Sequence, residues 1–126
     1  MEQVCPFCSR EARRVVGANA LALAMRDAYP LSPGHTLIVP RRHIASAADA
    51  TADEFAAIWS LLGEARTAID RELGPDGFNI GINDGRAAGQ TVMHLHVHLI
   101  PRYCGDSPDP RGGVRWVLPE KARYWD

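Results

Sequence analysis

The chain has 126 residues, a length typical of one folded domain, and we expect a single domain over residues 1–126. Apolar residues make up 46% and charged residues 23% of a chain with net charge −1, which indicates an ordinary globular protein with no broad attraction to nucleic-acid polymers or anionic membranes. No apolar run reaches the roughly 18 residues of a membrane span, and the Met1-Glu2 start lacks the cationic region of an export signal, so we expect a cytoplasmic protein.

Three short strands are predicted in the first third of the chain. Residues 13–17 and 20–26 are β-prone runs separated by a short turn, a composition typical of a hairpin. Residues 36–39 form a compact apolar run closed by Pro40, which predicts a buried strand. This strand delivers three basic residues to its exit: Arg41, Arg42 and His43.

One long helix is predicted from Thr51 to the Gly74-Pro75 pair. Its first residues have the spacing of a capping box, in which the Glu54 side chain reaches back to the cap residue Thr51. Apolar residues then recur at near-helical spacing until the glycine and proline end the run: Phe55, Ile58, Trp59, Leu62, Ile69 and Leu73. The pattern carries no chemistry, so we interpret this helix as scaffold.

Two further strands complete an α+β domain. Phe78, Ile80 and Ile82 alternate with small or polar residues, and residues 94–101 alternate apolar residues with histidines. Five strands and one long helix predict an antiparallel sheet whose leucine-bearing face is covered by the helix.

The histidines of the last strand form the chemical signature of the chain. Side chains two apart on a strand lie on one face, roughly 6.6 Å from each other, so His94, His96 and His98 form a row. Burying three imidazoles without partners costs about 1–3 kcal/mol each. The row therefore predicts a polar site at this face.

Three blocks of sequence, GHTLIVPRRH, NDGRAAGQTVMHLHVHLIPR and PDPRGGVRWVLPEKARYW, lie outside the long helix and together make up 48 residues of the chain. In them the chain resembles the bacterial branch of the histidine triad nucleotide-binding family, closest in motif to dinucleoside polyphosphate hydrolases, and HLHVHLI fits the family signature at every position. The resemblance implies an α+β fold with a five-stranded antiparallel meander sheet, one long helix and a short C-terminal helix. It also implies a homodimer with two active sites side by side.

By this resemblance His96 is a nucleophile that attacks an α-phosphate and briefly carries the nucleotidyl group. Neutral imidazole is abundant near pH 7 and needs no separate base, provided that its other nitrogen holds the proton against an acceptor. In the family that acceptor is a backbone carbonyl near the first histidine, here His94. His98 donates to the phosphate or leaving group, and His35 supports the triad.

The resemblance also assigns the nucleotide contacts. The Asp27 carboxylate grips the ribose hydroxyls, a task suited to an acceptor, and Asn83 touches the phosphate chain. The Thr91 hydroxyl and amides near it, within Gly89-Gln90-Thr91, bind the α-phosphate together with His98. The expected reaction releases a nucleoside 5′-monophosphate, AMP in the first instance, from a dinucleoside polyphosphate by double displacement. An adenosine phosphoramidase and a nucleotide sensor with little turnover are the alternatives.

A Cys-x₂-Cys pair, Cys5 and Cys8, lies in the first ten residues. This spacing suits zinc, which often completes such a pair with two histidines. In zinc-containing relatives the partners match His43 and His94, so residues 1–10 are expected to help hold a structural zinc, with no catalytic metal. A redox pair and a catalytic metal held by the histidines remain as alternatives.

The C-terminal tail, residues 105–126, is rich in aromatic residues and arginines. Aromatic residues near a chain end commonly pack on their own domain or on a partner subunit. The family resemblance gives the tail a different part, in which it shapes the leaving-group side of the pocket. The residues concerned are Trp116, Tyr124 and Trp125.

Overall fold

The computed structural model describes residues 5–9 and 14–126. Residue 13, the first of the predicted hairpin, lies outside these ranges, as do residues 1–4 and 10 of the predicted metal-binding segment. The helices and strands are, in chain order, α1 (Pro6–Ser9), β1 (Val15–Ala18), β2 (Ala22–Arg26), β3 (Thr36–Pro40), α2 (Ala52–Leu73), β4 (Gly77–Ile82), β5 (Val97–Arg102) and α3 (Pro119–Ala122). The short C-terminal helix is thus present as predicted.

The five strands form one antiparallel sheet in the order β1-β2-β3-β5-β4, which confirms the predicted α+β class. The first three strands run as a meander. The connection through α2 then carries the chain to the far edge, so β4 is outermost and β5 returns between β4 and β3. This return brings the histidine segment next to the end of β3, where the basic residues leave the sheet.

Helix α2 begins and ends as the sequence predicts. The Thr51 hydroxyl accepts from the Glu54 amide at 3.1 Å, and Glu54 Oε1 accepts from the Thr51 amide at 2.9 Å. At the other end Gly74 has φ of 59°, a left-handed conformation that glycine adopts without strain. The helix is therefore closed at both ends by its own local sequence.

The buried stripe of α2 differs in part from the predicted one. Ile58, Leu62 and Ile69 are buried, and Leu61 completes the stripe at the same helical spacing. Trp59 and Leu73 are 48% and 41% exposed, so their inclusion among the core residues was wrong. Only a narrow stripe of the helix meets the sheet, packing against strand residues that include Ala24, Ile38, Val97 and Leu99.

The opposite face of the sheet carries a second, smaller apolar cluster. It consists of Leu23, Met25, Leu37 and Val39, with Phe7 and Val15 packed against it. Because α2 leaves this face uncovered, its other side chains are available to line a binding site.

The last strand starts later than predicted. Regular pairing begins at Val97 and ends at Arg102, whereas the alternation predicted residues 94–101, so His94 and His96 precede the strand. In the register that pairs Ile38 with Val97, the partner of Leu95 would be Pro40. Proline has no N–H to donate, and the Leu95 amide instead donates to the Ile44 carbonyl at 2.6 Å.

Among the described residues, no helix has both the length and the apolar composition needed to cross a bilayer.

Candidate active site

A cleft of about 500 Å³ opens beside the smaller apolar cluster. Residues from both ends of the sheet and from the loop before β5 line it, and they include most of the predicted nucleotide contacts. These are Asp27, Asn83, Gly89, Thr91, His96 and His98, with Pro6, Phe7, Met25, Tyr29, Leu31 and Leu37 among their neighbours. The cleft therefore combines an apolar wall with a row of polar groups, as small-ligand sites commonly do.

One hydrogen bond fixes the tautomer of His96. Its Nδ1 lies 2.8 Å from the backbone carbonyl oxygen of His94. A carbonyl oxygen only accepts, so Nδ1 carries the proton and donates it. Nε2 is then the nitrogen with the lone pair, on a ring that lines the cleft and is 8% exposed. This geometry matches the expectation for a nucleophilic histidine.

A chain of hydrogen bonds fixes the tautomers of two more histidines. The Leu31 amide donates to Nδ1 of His35 at 3.1 Å, so the proton of neutral His35 is on Nε2. That nitrogen lies 3.0 Å from Nδ1 of His98 and 3.4 Å from Oδ2 of Asp27. When His35 donates to His98, the proton of His98 is on Nε2, where it can serve a ligand in the cleft. The predicted support of the triad by His35 takes this form.

Burial keeps this pair of rings neutral. Desolvation, with smaller contributions from His96 and His35, lowers the pKa of His98 to about 4. Burial also lowers the pKa of His35, although the Asp27 carboxylate opposes the shift. At neutral pH the two imidazoles are therefore uncharged, which the hydrogen-bond chain requires.

Asp27, His35 and His98 have the residue types of a cation site, with their ligand atoms within 4.8 Å of one another. The Leu31 amide argues against this use. A metal on Nε2 of His35 would require that nitrogen to lose its proton while Nδ1 still accepts from the amide. The cluster thus fits a chain of hydrogen bonds better than the catalytic metal considered from the sequence.

The loop before β5 presents only part of the predicted phosphate site. Gly89 has φ of 94°, and a Cβ there would meet no atom within 4 Å, so its backbone lies open to the cleft. Gln90 differs from the expectation because it is 6% exposed and does not line the cleft. Its amide group donates to the carbonyls of Ala45 and Val92 and accepts from the Gly85 amide, which holds the loop in shape.

The predicted zinc ligands converge beside the cleft. His43 Nδ1 lies 3.1 Å from Cys8 Sγ and 3.2 Å from His94 Nδ1. His94 Nδ1 lies 3.5 Å from Cys5 Sγ and 3.6 Å from Cys8 Sγ. Zinc ligated at about 2.0–2.3 Å has donor atoms roughly 3.3–3.8 Å apart. The four separations lie in this range or within about 0.2 Å of it, so small shifts would let these two sulfurs and two nitrogens hold a tetrahedral ion.

The His94 side chain belongs to this cluster and not to the cleft. It is fully buried, and its Nε2 donates to the Pro40 carbonyl at 2.8 Å, which leaves the Nδ1 lone pair directed at the cysteines. Of the four histidines expected at the catalytic centre, three therefore bring their rings to the site. His94 contributes its backbone carbonyl.

An ion pair that the sequence did not reveal supports His43. The Arg42 guanidinium donates to both oxygens of Glu54, at 2.7 and 3.2 Å, and to the Asp49 carbonyl at 2.9 Å. The Arg42 hydrogen bond, together with the Thr51 amide, lowers the pKa of Glu54 to about 2. Glu54, which caps α2 together with Thr51, thus also anchors the loop that carries His43, one of the expected zinc ligands.

A second cleft of about 640 Å³ adjoins the first and shares Leu31, Asn83 and His98 with it. Its outer wall comes from the tail, through Val114, Trp116 and Val117. The indole N–H of Trp116 donates to the Arg111 carbonyl at 2.7 Å, which fixes the ring. Tyr124 and Trp125 instead pack against each other with ring centroids 5.0 Å apart.

Comparison with known proteins identifies close relatives. The chain is 38% identical over 103 residues to the AP-4-A phosphorylase of Mycobacterium tuberculosis, covering 81% of this chain and 53% of that protein. It is 37% identical over 82 residues to the bis(5′-adenosyl)-triphosphatase of Dictyostelium discoideum, covering 65% of this chain and 55% of that protein. The chain thus spans about half the length of these two curated relatives.

Solved structures show the same fold. A histidine triad nucleotide-binding protein from Sulfolobus tokodaii is 37% identical with a TM-score of 0.75, covering 83% of this chain and 73% of that one. A zinc-bound histidine triad family protein from Mycobacterium smegmatis is 34% identical with a TM-score of 0.68, covering 75% and 73%. Residues 9–105 match the HIT domain, and the chain belongs to the HIT domain family.

Proposed function

We propose that the protein cleaves a nucleoside 5′-monophosphate, AMP in the first instance, from dinucleoside polyphosphates or related substrates through a covalent nucleotidyl-His96 intermediate. Membership of the HIT family supports the nucleotide substrate class. The names of the two curated relatives, an AP-4-A phosphorylase and a bis(5′-adenosyl)-triphosphatase, support the bond type.

The observation that carries the proposal is the hydrogen bond from His96 Nδ1 to the His94 carbonyl. It leaves an unprotonated imidazole nitrogen on a ring that lines the cleft. Such a nitrogen attacks phosphorus without the help of a general base.

The reaction then proceeds in two balanced steps. In the first, His96 Nε2 bonds to the α-phosphorus and the bond from phosphorus to the leaving oxygen breaks, so that the leaving group departs as an anion whose oxygen accepts a hydrogen bond from His98 Nε2. In the second, water attacks the phosphorus and the bond to His96 Nε2 breaks, while one proton of the water stays on the released nucleoside monophosphate and the other passes to solvent. His98 stays neutral in both steps, as its lowered pKa of about 4 requires.

The nucleotide would lie with its phosphate at the loop before β5 and its ribose at Asp27. We expect the Thr91 hydroxyl and the open backbone at Gly89 to supply fixed donors to the phosphate, with Asn83 beside the phosphate chain. Asp27 Oδ1 already accepts from the Tyr29 amide at 2.8 Å, which orients the carboxylate. A carboxylate has about four acceptor sites, so capacity remains for the ribose hydroxyls.

The second cleft favours a bulky leaving group over a small amine. It begins at His98, the proposed hydrogen-bond donor to the leaving group, and is walled by Trp116, on which a second base can stack. The test is to offer diadenosine polyphosphates and an adenosine phosphoramidate to the purified protein side by side. We expect a higher kcat/KM for the diadenosine compounds; a preference of several decades for the amide would overturn this assignment.

We assign a structural role to zinc at Cys5, Cys8, His43 and His94, and expect no metal at phosphorus. When bound there, zinc supplies a cross-link between α1 and the two histidine-bearing segments. Tetrahedral sites with four protein ligands have no open position for substrate. Cysteines that serve as metal ligands are typical of a reducing compartment, in keeping with the expected cytoplasmic location.

We further propose a homodimer, as the family resemblance implies. Strand β4 lies at one edge of the sheet formed by the described residues, and edge strands are commonly covered by another chain. Sedimentation equilibrium at micromolar concentration should give twice the 13.8 kDa chain mass. A monomer at that concentration would contradict the dimer.

A further inference from the structure

One wall of the cleft, beside His96, is built from the short segment that carries the two cysteines. Pro6 and Phe7 lie between the two cysteines in sequence, and both line the cleft. Cys5 comes immediately before the four-residue helix α1 and Cys8 lies within it, so one short segment carries two of the expected metal ligands and, between them, part of the cleft wall.

Phe7 contacts both sites through one ring. Its ring centroid is 5.8 Å from that of His94 and 5.0 Å from that of His96, with edge-on geometry in both pairs. The ring also packs against the apolar cluster that contains Met25 and Leu37, which line the cleft as well. A shift of the Phe7 ring would therefore disturb the positions of His94, of His96 and of the apolar wall of the cleft.

Helix α1 is too short to hold its own shape. Its four residues are far below the length at which an isolated helix is stable in water. Cys5 and Cys8 link it to His43 and His94, which belong to the body of the domain. Occupation of the cysteine and histidine cluster thus fixes where Phe7 lies.

We propose that the metal site and the nucleotide cleft are thermodynamically coupled through Phe7, so that zinc and nucleotide each raise the affinity of the protein for the other. The inference rests on the proposed function in one respect, that the cleft binds a nucleotide. Coupling of this kind is reciprocal, and the two factors must be equal. Phe7 acts as a positioning residue for the cleft wall and for His96.

The experiment measures zinc affinity by competition with a chromogenic chelator, with and without saturating AMP, on the full chain. AMP affinity is measured by calorimetry on zinc-loaded and zinc-depleted protein. We expect AMP to raise zinc affinity about five- to tenfold, and zinc to raise AMP affinity by the same factor. In Phe7→Ala the factor should fall below about twofold, and in Phe7→Leu, which keeps an apolar side chain, it should be intermediate.

Trp59→Ala is the matched control, because Trp59 is half-exposed on α2 and does not line the cleft. Its coupling factor should equal that of the wild type. If zinc removal unfolds the whole chain, AMP and zinc would be coupled through folding itself, and Phe7→Ala would keep the full factor. That outcome would overturn coupling through Phe7. Circular dichroism of the zinc-depleted protein would show whether the chain has unfolded.

Two results separate this inference from the proposed function. AMP that binds equally well at every zinc occupancy would overturn the coupling and leave the nucleotide cleft standing. Failure of AMP to bind the zinc-loaded protein would overturn the proposed function, and the coupling with it.

Discussion

The backbone carbonyl of His94 lies 2.8 Å from Nδ1 of His96, while the His94 side chain lies among Cys5, Cys8 and His43, a group that could hold a metal ion. One residue thus contributes to two candidate sites. Its carbonyl sets the tautomer of His96, and its imidazole contacts the two cysteines. The two contacts are compatible because the carbonyl of His94 faces His96, while its side chain faces the cysteines and His43.

Replacing His96 should remove turnover and keep binding. His96→Ala deletes the proposed nucleophile, so we expect kcat for a diadenosine polyphosphate to fall by a factor on the order of 10⁴ or more. AMP affinity should change less than about tenfold, because the phosphate and ribose contacts remain. Steady-state kinetics and calorimetry check the two parts, and residual turnover within tenfold of wild type would contradict the nucleophilic role.

The contribution of His98 should depend on how strongly the leaving oxygen needs a hydrogen-bond donor. His98→Asn should lower kcat by about 10²–10³ for a diadenosine polyphosphate, and by much less for a nitrophenyl ester of AMP, whose leaving group spreads its negative charge over the ring. Rates for the two substrates in wild type and variant give the comparison. Equal losses for both substrates would count against a hydrogen bond from His98 to the leaving oxygen.

Acid should destabilise the protein through His98. Its folded-state pKa of about 4 lies below the unfolded value of 6.5, so the unfolded chain binds more protons between these values. The stability contributed by the neutral ring is therefore present above pH 6.5 and is lost as the pH falls towards 4. Urea unfolding at a series of pH values should show a shallower slope in His98→Asn than in wild type. An identical slope would refute the assignment.

The Arg42 and Glu54 pair should link helix capping to metal binding. Glu54→Gln weakens both the capping box and the Arg42 contact, and we expect the free energy of unfolding to fall by about 1–2 kcal/mol. Zinc affinity should fall as well, because Arg42 precedes His43. Asp53→Asn is the control, since Asp53 is an exposed acidic residue in the same first turn. Equal effects from the two variants would indicate a mere loss of helix-end charge.

Cysteine variants test the structural metal. Cys5→Ser should lower the zinc content of the purified protein well below one ion per chain and reduce Tm, since metal binding contributes directly to folding. Cys104→Ser should change neither, because Cys104 is exposed and lies outside the cluster. Elemental analysis and thermal denaturation provide the readouts. Full zinc occupancy in Cys5→Ser would contradict the ligand set.

The parts of the fold set by local patterns were predictable from the sequence. The capping box at Thr51, the left-handed Gly74 and the alternation of Leu95, Val97 and Leu99 with histidines each depend on neighbours in the chain. The start of β5 was not predictable from the sequence, because it depends on the missing N–H of Pro40 in another strand. The apolar pattern of α2 did not show that Leu61 is buried and Trp59 half-exposed, because burial depends on which narrow stripe of the helix packs against the sheet.

The candidate site, too, has parts that the sequence indicated and parts that it did not. Family resemblance pointed to the rings of His35, His96 and His98 and to the cysteine and histidine cluster, and the structure brings both groups together. It did not point to the Leu31 amide as the group that sets the tautomer of His35, since backbone donors carry no sequence signal. Gln90 supports the loop because its side chain reaches the Ala45 carbonyl, which is distant in the chain, as well as backbone groups of the loop itself.

Trapping the covalent intermediate tests the central claim most directly. The protein is mixed with a diadenosine polyphosphate labelled in the α-phosphate, quenched in alkali, where phosphoramidates survive, and digested for mass spectrometry. The account predicts one nucleotidyl group on His96, absent in His96→Ala. Label on any other residue, or turnover with no protein-bound label under rapid quenching, would contradict it.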